Sequence, residues 1–413
     1  MENESGAYMY INENIKTTVD GNYDVAVVGG GIAGISAALA AARQGKKTVL
    51  FEKQFMLGGL ATSGLITIYL PLCDGVGHQV SFGIAEELLR LSVSMGAEDK
   101  YPDNWLSDNG SRTEKDKRFE VQYNPQLFAI LVEKLLIDSG VDVFYGSYVV
   151  GVDISQSKIK HIILESKSGR TAYGVKSVVD ASGDCDVAKF AGLPTELFKQ
   201  GNVLAGWYYG IGKKGYKLNM LGVADIPDEE KTPENEVSHL IKRRFSGLNG
   251  RELSEQMILS HRSIYNDLLE KRKDDSEFIP VTIATTPQIR MTRKIVGEYT
   301  LSEKEEHTFF EDSVGMISNW KKRGPVYEVP FGTLFNKKIK NLIFAGRCIS
   351  VTEVMWDISR VIPCCAVTGQ AAGTAAALST DFSTLDIKEL QTILKRNSVI
   401  LHEKDLKENG YEL

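Results

Sequence analysis

Residues 23–53 read YDVAVVGGGIAGISAALAAARQGKKTVLFEK, and the fold turns on this stretch. It opens with the apolar run Val25 to Val28. Such a run, rich in β-branched residues and without alternation, predicts a buried parallel strand. Gly29, Gly31 and Gly34 follow in G-x-G-x-x-G spacing, with Ile32 and Ala33 inside the motif. The first glycine permits the tight turn from strand to helix. The second lets a pyrophosphate approach the backbone, and the third lets the helix pack close on the strand. Gly34, Ala38 and Ala42 then put small residues on one helix face. Gly45 ends the helix in the usual left-handed position. A second strand, Thr48 to Phe51, delivers Glu52 about 20 residues past the glycines, where an acid binds a ribose diol. A ligand-free βα turn would use the same glycines. Strand, glycines, helix and acid at these offsets favour a bound dinucleotide. The run Val25 to Ala42 carries no charge, but its glycines and strand-like start argue against a membrane span.

The rest of the composition excludes several classes. The chain has 413 residues, enough for two or three structural domains. Its net charge of −6 and pI of about 5.7 give no general affinity for nucleic acid or anionic lipid. Basic clusters at 242–244, 271–273 and 321–323 read as solvated faces. The polar N-terminus lacks the basic start and apolar middle of a secretion signal, which predicts a cytoplasmic protein. Cys73, Cys185, Cys348, Cys364 and Cys365 show no C-x-x-C and no zinc or iron–sulfur spacing, so no metal is expected.

Further along, Lys53 leads to Gly58, Gly59, Leu60, Ala61 and Thr62, a glycine turn suited to a flat or phosphorylated ligand. A helix is expected over 78–95 and a long polar loop over 97–118. Asn124-Pro125 starts another helix, with Asn as cap. A strand at 141–145 precedes a small antiparallel meander over 147–154, 159–165 and 171–173. A buried strand, Val175 to Asp180, then runs into Ala181, Ser182 and Gly183, again a carboxyl-end crevice. Residues 195–334 are more polar, with charged helices near 234–246 and 251–273 and strands over 280–299 carrying Arg290 and Arg293. Asn341 to Ala345 returns as a buried strand ending in Gly346-Arg347. A loop follows with Glu353, Trp356, Asp357 and Arg360, and Pro363 opens a helix. The start of that helix would favour negative charge on a bound ligand. Asp386 and Glu389 fit a capping pair for the final helix.

These pieces resemble the FAD-dependent oxidoreductase family of the glutathione-reductase-like, two-dinucleotide-binding type. The resemblance rests on DVAVVGGGIAGISAALAAARQGKKTVLFEK, LGGLATSGL, VVDASGDCDVAKFAG, IRMTRKIVGEYTLSEKE and NLIFAGRCIS…SRVIPCCAVTGQAAGTAAAL. It implies FAD in the first site. Gly29, Gly31 and Gly34 would meet the pyrophosphate and Glu52 the ribose. The 58–62 turn would run toward the flavin, and Val149 would offer backbone to the adenine. Ala181, Ser182 and Gly183 would lie by the adenosine half. Gly346, Arg347, Val361 and Ile362 would flank the ribityl chain and ring. LGGLATSG stands where many relatives carry a redox cysteine pair, so disulfide reduction is not expected.

The implied fold class is α/β: a Rossmann-like FAD-binding domain with parallel sheet, helices and a small antiparallel meander, plus an inserted α+β substrate or cap domain. The expected division is an N-terminal arm at 1–22, FAD-binding segments at 23–65, 119–194 and 335–413, and cap segments at 66–118 and 195–334. The implied activity is hydride transfer between flavin N5 and a small polar or anionic substrate, with an unidentified electron acceptor and a possible homo-oligomer. His78 and Tyr69 are candidates near the reacting carbon; His78 is a proton carrier or a capping histidine. Arg290 and Arg360 form a carboxylate clamp or a structural ion pair. Cys73 and Cys348 are further candidates for flavin contact. A flavin subunit that only relays electrons, a non-redox nucleotide-binding protein and a monooxygenase remain as alternatives. No second G-x-G-x-x-G supports a tight NAD(P)H site.

Overall fold

The computed structural model describes residues 11–96, 120–223, 226–233 and 239–408. The loop expected over 97–118 lies outside them. In chain order, β1 (Thr18–Val28) leads to α1 (Ile32–Arg43) and β2 (Thr48–Phe51). The ribbon strands β3 (Ile68–Tyr69) and β4 (Val121–Gln122) flank α2 (Ile84–Val93). Next come α3 (Pro125–Asp138), β5 (Val141–Phe144), β6 (Tyr148–Ser155), β7 (Lys158–Ser166) and β8 (Gly169–Asp180). After α4 (Asp186–Phe190) and β9 (Thr195–Leu197) the chain forms β10 (Gly206–Gly212), β11 (Gly215–Leu221), α5 (Gly250–Asp274) and β12 (Ile279–Ile283). The last part holds β13 (Arg293–Ile295), β14 (Ser313–Ser318), β15 (Val326–Pro330), β16 (Leu342–Phe344), α6 (Glu353–Ser359), α7 (Ile362–Leu378) and α8 (Ile387–Arg396).

A seven-stranded sheet organises the molecule, in the order β5-β2-β1-β8-β7-β6, with β16 also on β8. β5, β2, β1, β8 and β16 run parallel, and β6 and β7 pair antiparallel beyond β8. β8 serves both halves. Its first part pairs with β7 and its last residues with β16. The two short strands expected at 171–173 and 175–180 are therefore one. Gly174 lets β8 pass β1 at close range, since a Cβ there would lie 2.0 Å from Asn22 Oδ1. β1 begins at Thr18 and pairs with Thr171 of β8, so the expected arm ends inside the sheet.

The register sets the site. Val28 pairs with Phe51 and with Asp180, and Asp180 pairs with Phe344. Four strands thus end at one level, and the turns after them emerge side by side. Val27, Leu50 and Val179, one residue before those ends, are fully buried, as is Val25 further back on β1. Each such side chain contributes about 1.5–3 kcal/mol through removal of apolar surface from water. α1 and α7 cross in backbone contact. A Cβ on Gly369 would lie 2.3 Å from the Ala33 carbonyl oxygen, and one on Gly373 2.1 Å from that of Ala37.

Other elements differ from expectation. Residues 353–359 form a helix, not a loop, because Thr352 caps it by accepting from the Met355 N–H. Residues 239–246 are not helical; Phe245 exchanges backbone hydrogen bonds with Asn202 instead. Residues 234–238 of that expected helix lie outside the described residues. α2, β14 and β15 contribute Leu88, Ile317 and Val329 to the main core, so the segments 66–118 and 195–334 supply more than a cap. No single helix among the described residues is long and apolar enough to cross a membrane.

Candidate active site

A cleft of about 540 Å³ opens where those strand ends meet. Val28, Glu52, Ala181 and Ala345 reach it from four neighbouring strands. Two helices start on it. α1 is capped by Gly31 and α7 by Val361, and neither cap residue offers a side-chain acceptor. First-turn N–H groups with no protein cap form an anion-binding helix start. α7's Pro363 has no N–H and a fixed φ suited to the first turn.

Glu52 is buried at the end of β2. Its Oε2 accepts from the Gly30 N–H at 2.6 Å and its Oε1 from the Gln54 N–H at 2.8 Å. Burial pushes its carboxyl up, while these N–H groups pull it back. The acid therefore ties the second strand to the glycine turn. The turn around 58–62 closes over the same place, with the Gly58 N–H donating to Gly30 O at 2.8 Å.

Of the residues singled out from the sequence, Gly29, Gly31, Ile32, Ala33, Glu52, Lys53, Gly58, Gly59, Leu60 and Ala61 line this cleft. So do Val149, Ala181, Ser182, Gly183, Arg347, Val361 and Ile362, with Arg290 and Arg360. Gly34 sits behind the wall, where a Cβ would meet Gly29 O at 1.8 Å, which is its helix-packing role. Gly346 also lies behind it, at φ +65°, with a Cβ position 2.7 Å from Ala33 Cβ. Thr62 turns inward, and its hydroxyl donates to Leu57 O at 2.5 Å.

Two catalytic candidates are not in the cleft. His78 Nδ1 lies 2.8 Å from Asp74 Oδ2, in a turn whose N–H groups from residues 76 to 78 all reach Asp74 Oδ1. That is the capping role. Tyr69 is fully buried beside Tyr123, and its hydroxyl donates to Ala85 O at 2.5 Å. Burial pushes that phenol well above its usual value. Cys73 and Cys348 do not line the cleft either; Cys365 does. The cleft also holds Trp207, Trp320, Asp184 and Asp186. The signal for the tryptophans was present in the sequence, as Gly206-Trp207 and Asn319-Trp320 in the polar insert.

The arginines differ in their surroundings. Arg347 donates to the carbonyls of Ile289 and Arg290 at 2.7 and 2.8 Å. Arg360 Nε donates to Asp357 Oδ1 at 2.8 Å. Lys321 contacts the other oxygen of Asp357. Arg290 is 7% exposed, and its guanidinium lies 5.4 Å from the Trp207 ring centroid. Among the described residues no carboxylate or carbonyl accepts from it. Burial, with Arg360 and Arg347 nearby, pushes its pKa down to about 9, still charged at neutral pH.

The cleft fits FAD. A Cβ on Gly31, at the α1 cap, would meet no protein atom within 4 Å, so the backbone is bare toward the cleft. A second helix start and a buried acid face the same space. A parallel sheet that gathers its turns at one edge, joined there by a helix from the far end of the chain, defines an FAD-dependent oxidoreductase of Rossmann type. The chain belongs to the FAD dependent oxidoreductase family, whose model matches residues 24–206 and 214–394.

It is 34% identical over 73 residues to the thioredoxin reductase of Ureaplasma parvum serovar 3, covering 18% of this chain and 24% of that protein. It is 26% identical over 163 residues to the tRNA uridine 5-carboxymethylaminomethyl modification enzyme MnmG of Lactococcus lactis subsp. lactis, covering 39% of this chain and 24% of that enzyme. The chain thus spans 24% of the length of either relative. Among solved structures it is similar in fold to a geranylgeranyl bacteriochlorophyll reductase-like protein from Thermoplasma acidophilum. There the TM-score is 0.50 at 17% identity, over 91% of this chain and 84% of that one.

Proposed function

We propose that this chain oxidises or reduces a small anionic organic molecule by hydride transfer at bound FAD, within the glutathione-reductase-like branch. The observation that carries the reading is Arg290, a buried cation lining the cleft whose guanidinium has no hydrogen-bonded or ion-paired acceptor among the described residues. A buried charge is costly unless paired, and a substrate anion supplies the pair. FAD, when bound, would supply the two-electron hydride chemistry. The protein residues divide the remaining work. Gly31 and the first turn of α1 would receive the diphosphate, and Glu52 would accept from the ribose. The start of α7, at Val361 and Ile362, would stabilise negative charge on the flavin ring. Arg290 fixes the substrate's orientation, which matters because hydride transfer needs close alignment. Lys53 and Asp184, 4.0 Å apart at the cleft wall, keep the cofactor half polar.

The test is the visible spectrum of the purified protein, followed by anaerobic titration with organic acids. The reading expects a yellow protein whose flavin bands bleach with at least one acid. In Arg290→Ala the bands should remain, and the bleaching rate should fall by about 10²-fold or more. A protein that takes up no FAD, or one bleached equally well after Arg290 is removed, overturns it.

A further inference from the structure

We infer that the substrate is an amphiphilic monocarboxylate, with a single carboxylate on Arg290 and an apolar, ring-sized body against the three-stranded cap sheet β11-β10-β12. This rests on the redox reading above and narrows it. Expectation from the sequence was a polar or anionic molecule; the lining of the cleft is mostly apolar, and Trp207 lies against Arg290.

The charge count comes first. Four cations gather near the end of the cleft where α6 meets α7: Arg290, Arg347, Arg360 and Lys321. Three have protein acceptors. Arg347 has the two backbone carbonyls and lies 3.5 Å from Asp184. Arg360 and Lys321 share Asp357, whose side chain is 1% exposed. One planar fork is left, on Arg290. A single guanidinium matches two oxygens and one negative charge, which is the geometry of a carboxylate. A phosphate monoester would bring a second charge and a third oxygen, and the other cations described at this end of the cleft already have protein acceptors.

The body of the substrate follows from the wall. Ile66, Ile68, Leu70, Trp207, Met220 and Leu253 line the cleft. Trp207 lies on β10 and its register partner Met220 on β11, so both project from one face of the cap sheet. Trp207 is held in place, its Nε1 donating to Gly222 O at 2.8 Å and its backbone N–H to Gln288 Oε1 at 2.9 Å. Gln288 Nε2 in turn donates to Gly64 O at 2.5 Å, which anchors the sheet to the turn that lines the cofactor half. Trp320 adds a second ring, fixed by its Nε1 donating to Asp357 O at 2.9 Å. Two fixed indoles in this one cleft, Trp207 beside Arg290 and Trp320 beside Arg360, together with several aliphatic side chains, suit an aromatic or alicyclic acid. A short, fully polar acid would leave this surface wet.

The experiment uses the FAD-loaded full chain and measures binding through perturbation of the visible flavin bands. The probes are benzoate, cyclohexanecarboxylate and indole-3-acetate, against benzamide, acetate and phenyl phosphate. The ring-bearing acids should bind about tenfold to 100-fold more tightly than benzamide, the range for a hydrogen bond to a charged group. Acetate and phenyl phosphate should be weaker by at least about tenfold. In Arg290→Gln the preference for benzoate over benzamide should vanish. If that variant fails to fold, the probe series on the unaltered protein decides alone. Equal binding of benzoate and benzamide, acetate as tight as benzoate, or a preference for phenyl phosphate overturns the inference. A yellow protein bleached only by uncharged substrates sinks this inference and leaves FAD chemistry standing. A colourless protein sinks the redox reading itself.

Discussion

Arg360 and Asp357 form a buried ion pair at the cleft, with Arg360 Nε 2.8 Å from Asp357 Oδ1 and side-chain exposures of 9% and 1%. Burial alone would push Asp357 up, but Arg360 and Lys321 hold it below the ordinary 3.8. A carboxyl depressed in the folded state adds stability above its unfolded pKa and loses it as pH falls through the folded one. Asp357→Asn should therefore cost about 3–5 kcal/mol at pH 7, since it leaves buried cations unpaired. The gap between variant and parent should narrow below about pH 4. Urea midpoints measured from pH 7 down to pH 3 check both points. A constant gap across that range would show that the pair does not carry the difference.

Gly31 and Gly29 should separate cofactor binding from folding. Gly31 has φ −71°, open to any residue, and a Cβ there meets nothing within 4 Å. Gly31→Ala should melt like the parent apoprotein, within about 0.5 kcal/mol, yet retain less FAD after desalting. Gly29 has φ +99°, and its Cβ would lie 2.5 Å from Ala181 O, so Gly29→Ala should lose stability outright. Full FAD retention by Gly31→Ala would remove the assigned diphosphate approach.

How far the sequence carried this reading depends on distance along the chain. The turn from Gly29 to Gly34 and the acid Glu52 lie within one βαβ unit, so spacing alone placed them. Arg290 was legible as a substrate candidate, but not its lack of a counterion. That depends on Asp357 choosing Arg360 and Lys321, a matter of packing. That His78 and Tyr69 stand outside the cleft was not legible, because sequence does not say which way a side chain points. His78 caps a turn built by Asp74, and Tyr69 faces the core. Trp207 and Trp320 were missed because they converge only when β10 and the 319–324 turn fold against the cofactor half. The capped helix at 353–359 was passed over as a loop, although Thr352 stood at its start.

The crossing of α1 and α7 predicts a coupling between stability and cofactor binding. A Cβ on Gly373 would lie 2.1 Å from Ala37 O and 2.6 Å from Ala37 Cα. Neither atom belongs to a flexible side chain, so the helices must separate. Gly373→Ala should cost about 1–3 kcal/mol, as overpacking does. Both helices begin on the cleft, so their separation should also shift the visible bands of bound FAD. Thermal melts of the apoprotein read the first effect, and spectra of the loaded protein the second. An unshifted spectrum beside a lowered melting point would mean that the two helix starts move independently of the crossing.

Glu52 serves the fold before it serves any ribose, and the two roles can be told apart. Both of its oxygens already accept backbone N–H groups, from Gly30 and Gln54. Glu52→Gln keeps the volume but turns one acceptor into a donor, so one of those buried N–H groups faces an NH2. The apoprotein should lose about 1–3 kcal/mol, the cost of an unsatisfied buried donor. FAD should dissociate more readily as well, because the amide also loses the charge that favours the ribose hydroxyls. Glu52→Ala should weaken FAD at least as much. Denaturant titration of each apoprotein and the flavin-to-protein absorbance ratio after gel filtration report the two losses separately. A Glu52→Gln protein as stable as the parent but stripped of FAD would assign the acid to the ribose alone, with no part in holding the glycine turn.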